Sequence, residues 1–151
     1  KDLYGVVELT EKQIDAYVKQ YFGFVNPDYV RIILNQDDQL VAFGIALPSL
    51  ALAMKKANGR AFPFGILHLM KALKKNDRLD LYLVAVKPEL QGKGVNALIL
   101  ADINQTAIKN GVKFAETGPE LEENKDVQGL WKFYETRQHK KRRCYIKKLS
   151  K

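Results

Sequence analysis

Hydrophobic and polar positions follow two different periods along this chain. Thr10-Glu11-Lys12-Gln13 has the spacing of a capping box with Gln at its last position. An apolar stripe at Ile14, Tyr17, Val18 and Tyr21 follows, so a first helix is predicted to run to about Phe22-Gly23. Val30 to Asn35 is rich in β-branched residues, Asp37-Asp38 makes a turn, and Leu40 to Leu47 is apolar again, which predicts a hairpin. Ser49–Lys56 and Phe64–Lys75 read as short helices separated by Asn58-Gly59-Arg60 and Pro63. Leu79 to Val86 alternates and then becomes continuously apolar, the pattern of a strand buried deep in a sheet. A Gly-rich turn at 92–94 opens a long helix, Val95 to Asn110, closed by Gly111. Lys113 to Glu116 predicts a short strand, and Asp126 to Gln138 a helix with Leu130, Trp131 and Tyr134 on one face. Arg142 to Leu149 predicts a closing strand. The order implies an α/β (α+β) fold, a mixed sheet flanked by helices. No repeat, low-complexity tract or linker divides residues 1–151, so one domain is expected.

The composition is that of a globular domain: 151 residues, 46% hydrophobic and 28% charged. One Cys excludes a disulfide within the chain and a multi-thiolate metal site. His68 and His139 stand far apart, so no metal is expected. No apolar run approaches the roughly 18 residues that span a bilayer, and no signal peptide is visible. A cytoplasmic location is the default expectation. The first residue is Lys1 rather than Met, so a piece of a longer chain or a processed product is expected.

The net charge of +8 is localised. Positions 137–151 hold eight cations and no acid, which leaves residues 1–136 with seventeen of each sign. The cations alternate with Cys144, Tyr145, Ile146 and Leu149, which reads as a strand with a solvated basic side. Nucleic-acid binding usually spreads its basic footprint along a helix or face and is not the expectation here. A solvated edge strand or a contact to an anionic ligand is.

The segment from Leu83 to Asn96 carries the chemistry. It joins an apolar strand, the Pro88 turn, Gln91-Gly92-Lys93-Gly94 and the start of a helix at Val95-Asn96. Backbone N–H groups at a helix start converge on one point, and the helix dipole adds partial positive charge there. Glycines permit the unusual φ values and the close approach of phosphate oxygens, and Lys93 can add a charge. The same glycines could instead serve only a tight strand-to-helix turn. The Walker pattern is absent, and Ala97 stands where a dinucleotide fingerprint needs its third Gly.

The run Val86-x-Pro88-x-x-Gln91-x-x-Gly94 resembles motif A of the GNAT N-acetyltransferase superfamily, Gln/Arg-x-x-Gly-x-Gly/Ala after a strand. Gln91, Gly92 and Gly94 match, and Asn96 departs from the last position. The order of elements follows that family over nearly the whole chain. Tyr4-Gly5, Leu9-Thr10, Asn58-Gly59-Arg60, Phe62-Pro63-Phe64-Gly65, Leu121-Glu122-Glu123-Asn124 and Arg143-Cys144-Tyr145 are similar to landmarks of one bacterial group. That group carries a GNAT-like domain as its C-terminal half, so the N-terminal half of the same chain is an implied partner.

The resemblance implies a sheet in which the strand before the cradle splays from its parallel neighbour. The pantetheine arm of acetyl-CoA, or another acyl-CoA, would lie along Val84, Ala85 and Val86. The pyrophosphate would sit on Gln91, Gly92, Lys93, Gly94, Val95 and Asn96, and the Val86 amide would be an oxyanion donor. Tyr134 stands where the family places the Tyr that protonates the leaving thiolate; the competing role is an ordinary Tyr on an amphipathic helix. Asn124 matches a cofactor-contacting Asn and is equally a helix N-cap. Glu116 is the implied general base, with Glu120, Glu122 and Glu123 as competitors. His68, on an apolar helix, reads as a packed or surface residue. The stripe Phe64, Leu67, Met70 and Leu73 reads as core rather than as an acyl-chain groove.

The implied activity is acyl-CoA-dependent N-acyl transfer to a small-molecule or protein amine by direct attack in a ternary complex. The alternative is a non-catalytic GNAT-like domain that binds a ligand or supports a larger protein. Residues 11–26, 47–77 and 118–126 would build the acceptor pocket, and a homodimer through the basic edge stays open.

Overall fold

The computed structural model describes residues 8–148, apart from the Phe24 side chain. It forms two compact units, which divide between Gly118 and Pro119. The Tyr4-Gly5 landmark and Leu149 lie outside the described residues.

The first unit runs α1 (Glu11–Tyr21), β1 (Val30–Leu34), β2 (Leu40–Pro48), α2 (Ala51–Lys56), α3 (Gly65–Lys74), β3 (Arg78–Val86), α4 (Val95–Lys109) and β4 (Phe114–Thr117). The capping box that starts α1 is formed in both directions. Gln13 N–H donates to Thr10 Oγ1 (3.4 Å), and Thr10 N–H donates to Gln13 Oε1 (2.9 Å). The β1–β2 turn is held by Asn35, whose Oδ1 accepts from the N–H groups of Asp37 (3.0 Å) and Gln39 (2.8 Å). The end of α4 is a Schellman motif around Gly111: Gly111 N–H donates to Ile108 O (3.0 Å) and Val112 N–H to Ala107 O (2.9 Å).

The sheet has the order β1-β2-β3-β4, antiparallel across the first two pairs and parallel between β3 and β4. The long α4 supplies the crossover that a parallel pair needs. It lies on one face of the sheet because β2 presents small residues there: Ala42, Gly44 and Ala46 alternate along that face. A Cβ built at Gly44 would lie 2.3 Å from Ile99 Cγ2, so only glycine permits this helix-to-strand distance. Ile99 and Ile103 of α4 close the core with Leu79, Tyr29 and Ala107. Arg31 ties β1 to the same helix, pairing with Asp102 and donating to Thr106 Oγ1 (2.7 Å).

The second unit is small. Asn124 caps α5 (Lys125–Gly129), a 3₁₀ turn follows at Leu130–Phe133, and Trp131 Nε1 donates to Glu120 Oε1 (2.8 Å). Two expectations need correction here. The helix predicted to reach Gln138 ends at Phe133, because Tyr134 is already extended (φ −117°, ψ 148°). The closing strand does not form over residues 142–148. A strand is defined by the ladder that its backbone makes with a neighbour. Here Tyr145 and Ile146 are exposed, and Lys141 reaches Glu122 only loosely (3.9 Å).

Candidate functional site

The site is built where β3 leaves the sheet. β2 accompanies β3 to its end, and Lys87 N–H still donates to Val41 O (2.9 Å). On the other edge, β4 pairs only with Arg78 to Leu81 and stops at Thr117. The alternation of the antiparallel ladder turns the N–H groups of Ala85 and Lys87 toward β2, and therefore those of Val84 and Val86 toward the open edge. The sequence predicted a deeply buried strand, yet Leu83 is 52% exposed and Val84 43%. The apolar run is unburied because its parallel neighbour ends four rungs into the pairing. This is the splayed strand pair.

A bulge marks the start of the open stretch. Leu81 faces Ala46 and Leu83 faces Ile45, so Tyr82 is an extra residue in β3. Bulges re-aim side chains, and Tyr82 meets Tyr21 of α1 at 5.8 Å between ring centroids. Tyr21 in turn stacks on Tyr17, one helical turn away, at 6.0 Å. The hydrogen bond to Tyr21, followed by partial burial, holds the Tyr82 hydroxyl above its ordinary value of 10.0.

Beyond Val86, the turn Pro88–Leu90 leads into Gln91, whose side-chain amide donates to Val86 O (3.1 Å) and ties the loop to the strand end. Gly92 and Gly94 have φ of +72° and +82°, a left-handed geometry that other residues rarely adopt. Gly94 is the N-cap of the fifteen-residue α4 and has no side chain with which to cap it. The first N–H groups of the helix, from Val95 onward, are thereby left to an outside acceptor. A Cβ at either glycine would meet nothing within 4 Å, so the space over the turn is open. Asn96 Oδ1, one residue into the helix, is buried without a hydrogen-bond partner, alone in this among the described side-chain atoms. The turn thus meets the needs of a phosphate group: open space, free N–H groups and the positive end of a helix dipole.

On the face opposite α4, the last paired rungs bring two carboxylates together. Glu116 of β4 is the register partner of Asp80 of β3. Burial raises the Asp80 carboxyl above its ordinary 3.8, a hydrogen bond from Ser49 pulls it back in part, and the nearby Glu116 charge raises it again. Ser49 is itself buried and fixed by its N–H to Arg78 O (3.0 Å). Sequence reading singled out Glu116 and missed Asp80. The available signal was a lone acid in the otherwise apolar run Leu79 to Val86.

The proposed cofactor residues Val84, Ala85, Val86 and Gln91 to Asn96 are therefore contiguous around one turn, and Glu116 stands beside Asp80. Asn124 and Tyr134 belong to the second unit. There Asn124 Oδ1 accepts from Val127 N–H (3.4 Å) as the cap of α5, and the Tyr134 ring lies edge-on to Trp131 at 6.1 Å. Among the described residues, no three His, Cys, Asp or Glu side chains gather as a metal site requires.

The fold recurs in solved structures. A putative acetyl transferase from Pyrococcus furiosus superposes with a TM-score of 0.58 at 11% identity, over 94% of this chain and 84% of that one. An aminoglycoside acetyltransferase from an uncultured soil metagenomic sample gives 0.52 at 9% identity, over 97% and 79%. An aminoglycoside N-acetyltransferase in complex with CoA gives 0.51 at 16% identity, over 88% and 90%. The chain has the GNAT fold. At these identities the likeness is one of fold. No protein-family model and no curated protein matches the sequence. In the terms of that fold, β3 and β4 are the splayed pair and the 91–96 turn leads into the long helix.

Proposed function

We propose that the chain is an acyl-CoA-dependent N-acyltransferase that moves an acetyl group from acetyl-CoA to an amine. The observation that carries this reading is the continuity of an open strand edge with an anion cradle. Val84 and Val86 offer backbone groups to an amide-bearing arm, and the strand leads directly into the turn at Gln91 to Asn96. The N–H groups of that turn, with Lys93, would hold the pyrophosphate. The Val86 N–H would stabilise negative charge developing on the acyl oxygen.

The amine nitrogen bonds to the acyl carbon as the carbon–sulfur bond breaks, and the sulfur leaves with the bonding electrons. Asp80, beside Glu116, takes the proton released by the amine, and its raised affinity for protons suits that task. Tyr134 is proposed to return a proton to the sulfur, and Asn124 to touch the cofactor in addition to capping α5. No side chain becomes covalently attached. The aminoglycoside enzymes among the structural neighbours favour a small-molecule acceptor over a protein one.

The test follows thiol release from acetyl-CoA with a panel of aminoglycosides, amino sugars and polyamines. Amine-dependent release that Asp80→Asn slows by about a hundredfold or more is expected. Tight CoA binding with no release across the panel would instead favour the non-catalytic alternative.

A further inference from the structure

Residues 51–75 carry six cations, Lys55, Lys56, Arg60, Lys71, Lys74 and Lys75, and no acid. They form the α2–α3 hairpin, whose two helices pack chiefly on each other. Sequence reading assigned Phe64, Leu67 and Met70 to the core. They are not in it: Phe62 is 86% exposed, Phe64 72% and Leu67 61%, with Ile66 and Met70 also exposed. Only the opposite side of α3 turns inward, at Gly65, Leu69, Ala72 and Leu73. The hairpin tip is firmly built. A Cβ at Gly65 would lie 1.9 Å from Arg60 O, so the 60–65 loop closes against the start of α3. A groove of about 210 Å³ at this tip is lined by Lys56, Arg60, Phe62, Phe64 and His68. Among the described residues, none of the six cations is in an ion pair.

From these observations we propose that the α2–α3 hairpin docks on an anionic lipid membrane. Phe62 and Phe64 stand at the tip beside Lys56 and Arg60, Ile66, Leu67 and Met70 are exposed along α3, and Lys71, Lys74 and Lys75 lie at the far end of that helix. That is the distribution by which an interfacial helix seats apolar groups at the acyl boundary and meets headgroup phosphates with Lys and Arg. Soluble monomers seldom expose a contiguous apolar patch without a partner for it. An aqueous polyanion would match the cations and leave Phe62 and Phe64 in water. A lipid surface satisfies both halves of the patch, and the groove between Lys56, Arg60 and the two Phe rings suits a phosphate headgroup. The inference does not depend on the acyltransferase reading.

The test is co-sedimentation of the full chain with vesicles of equal parts phosphatidylcholine and phosphatidylglycerol, against pure phosphatidylcholine, at low ionic strength. Binding to the anionic vesicles alone is expected. Lys55→Gln with Lys56→Gln should weaken it roughly thirtyfold, about fivefold per cation. Phe62→Ser with Phe64→Ser should weaken it by about tenfold or more, with an unchanged circular dichroism spectrum, because both rings are already outside the core. Failure to bind anionic vesicles would overturn the proposal. So would equal binding by the hairpin variants, which would assign any affinity to the basic segment after Arg137. A concentration-dependent dimer that the Phe variant dissolves, without vesicle binding by the native chain, would overturn it as well and make the patch an interface between copies.

Discussion

The two faces of the sheet in the first unit follow different logic. On the α4 face, Ala42, Gly44 and Ala46 are reduced to the size that lets Ile99 and Ile103 reach the strands and close the core. The opposite face carries Asp80, hydrogen-bonded to Ser49 and across the ladder from Glu116, a tyrosine at a bulge, and Leu83 half open to solvent. Burying an acid beside another acid costs stability. A fold tolerates that cost where chemistry needs it, and the proposed function puts its proton acceptor on this second face.

Four substitutions break or sharpen this contrast. Ile103→Ala on the packed face should destabilise the fold by about 2–5 kcal/mol, read by chemical denaturation. A smaller loss than on the opposite face would erase the distinction. Asp80→Asn should cost about a hundredfold or more in kcat/KM while leaving the fold as stable or more stable at neutral pH. Ionising Asp80 is harder in the fold than in the unfolded chain, so its share of stability is complete below 3.8 and declines as pH rises through the raised folded value. The Asn variant should therefore gain on the native protein above that value and match it below. The native kcat/KM should fall on its acid limb as the same group protonates. Marked destabilisation of the variant at neutral pH would make Asp80 a structural residue.

At the cradle, Gly94→Val forces a branched residue to φ near +82° and should cost about 1–2 kcal/mol in stability. Its effect on ligand binding should be much larger than that figure. Asn96→Ala should do the reverse, raising stability by about 1 kcal/mol, because it removes a buried acceptor with no partner and introduces a better helix former. A drop in melting temperature would mean that the Asn96 side chain has a role in the native fold.

The features legible in the sequence are those specified locally. Thr10 and Gln13 announce α1, Asn35 to Gln39 the hairpin turn, and Gly94 and Gly111 both ends of α4. Their physics lies within a few residues of chain. The splay was expected only through family resemblance, because it depends on β4 stopping at Thr117, which the pattern of β3 cannot reveal. The bulge at Tyr82 has no glycine to mark it. Asp80 acquires its character from Ser49, thirty-one positions away, and from Glu116 across the sheet. The last strand fails for the converse reason. Cys144, Tyr145 and Ile146 have strand-like composition, but no neighbouring ladder receives them over the described residues. In the same way, the stripe on α3 has the period of a core helix, and periodicity alone does not say whether anything covers it.

The central claim is that an acyl-CoA lies along the open edge of β3 with its pyrophosphate on the Gly92–Gly94 turn. Calorimetric titration of CoA into the native chain and into Gly94→Val, with a nucleotide control, tests it most directly. One molecule of CoA per chain is predicted for the native protein, with a gain of roughly 2.7 kcal/mol in stability at about a hundred times the dissociation constant. The folded variant should lose that binding. No CoA binding by the native chain, or equal binding by Gly94→Val, would contradict the account.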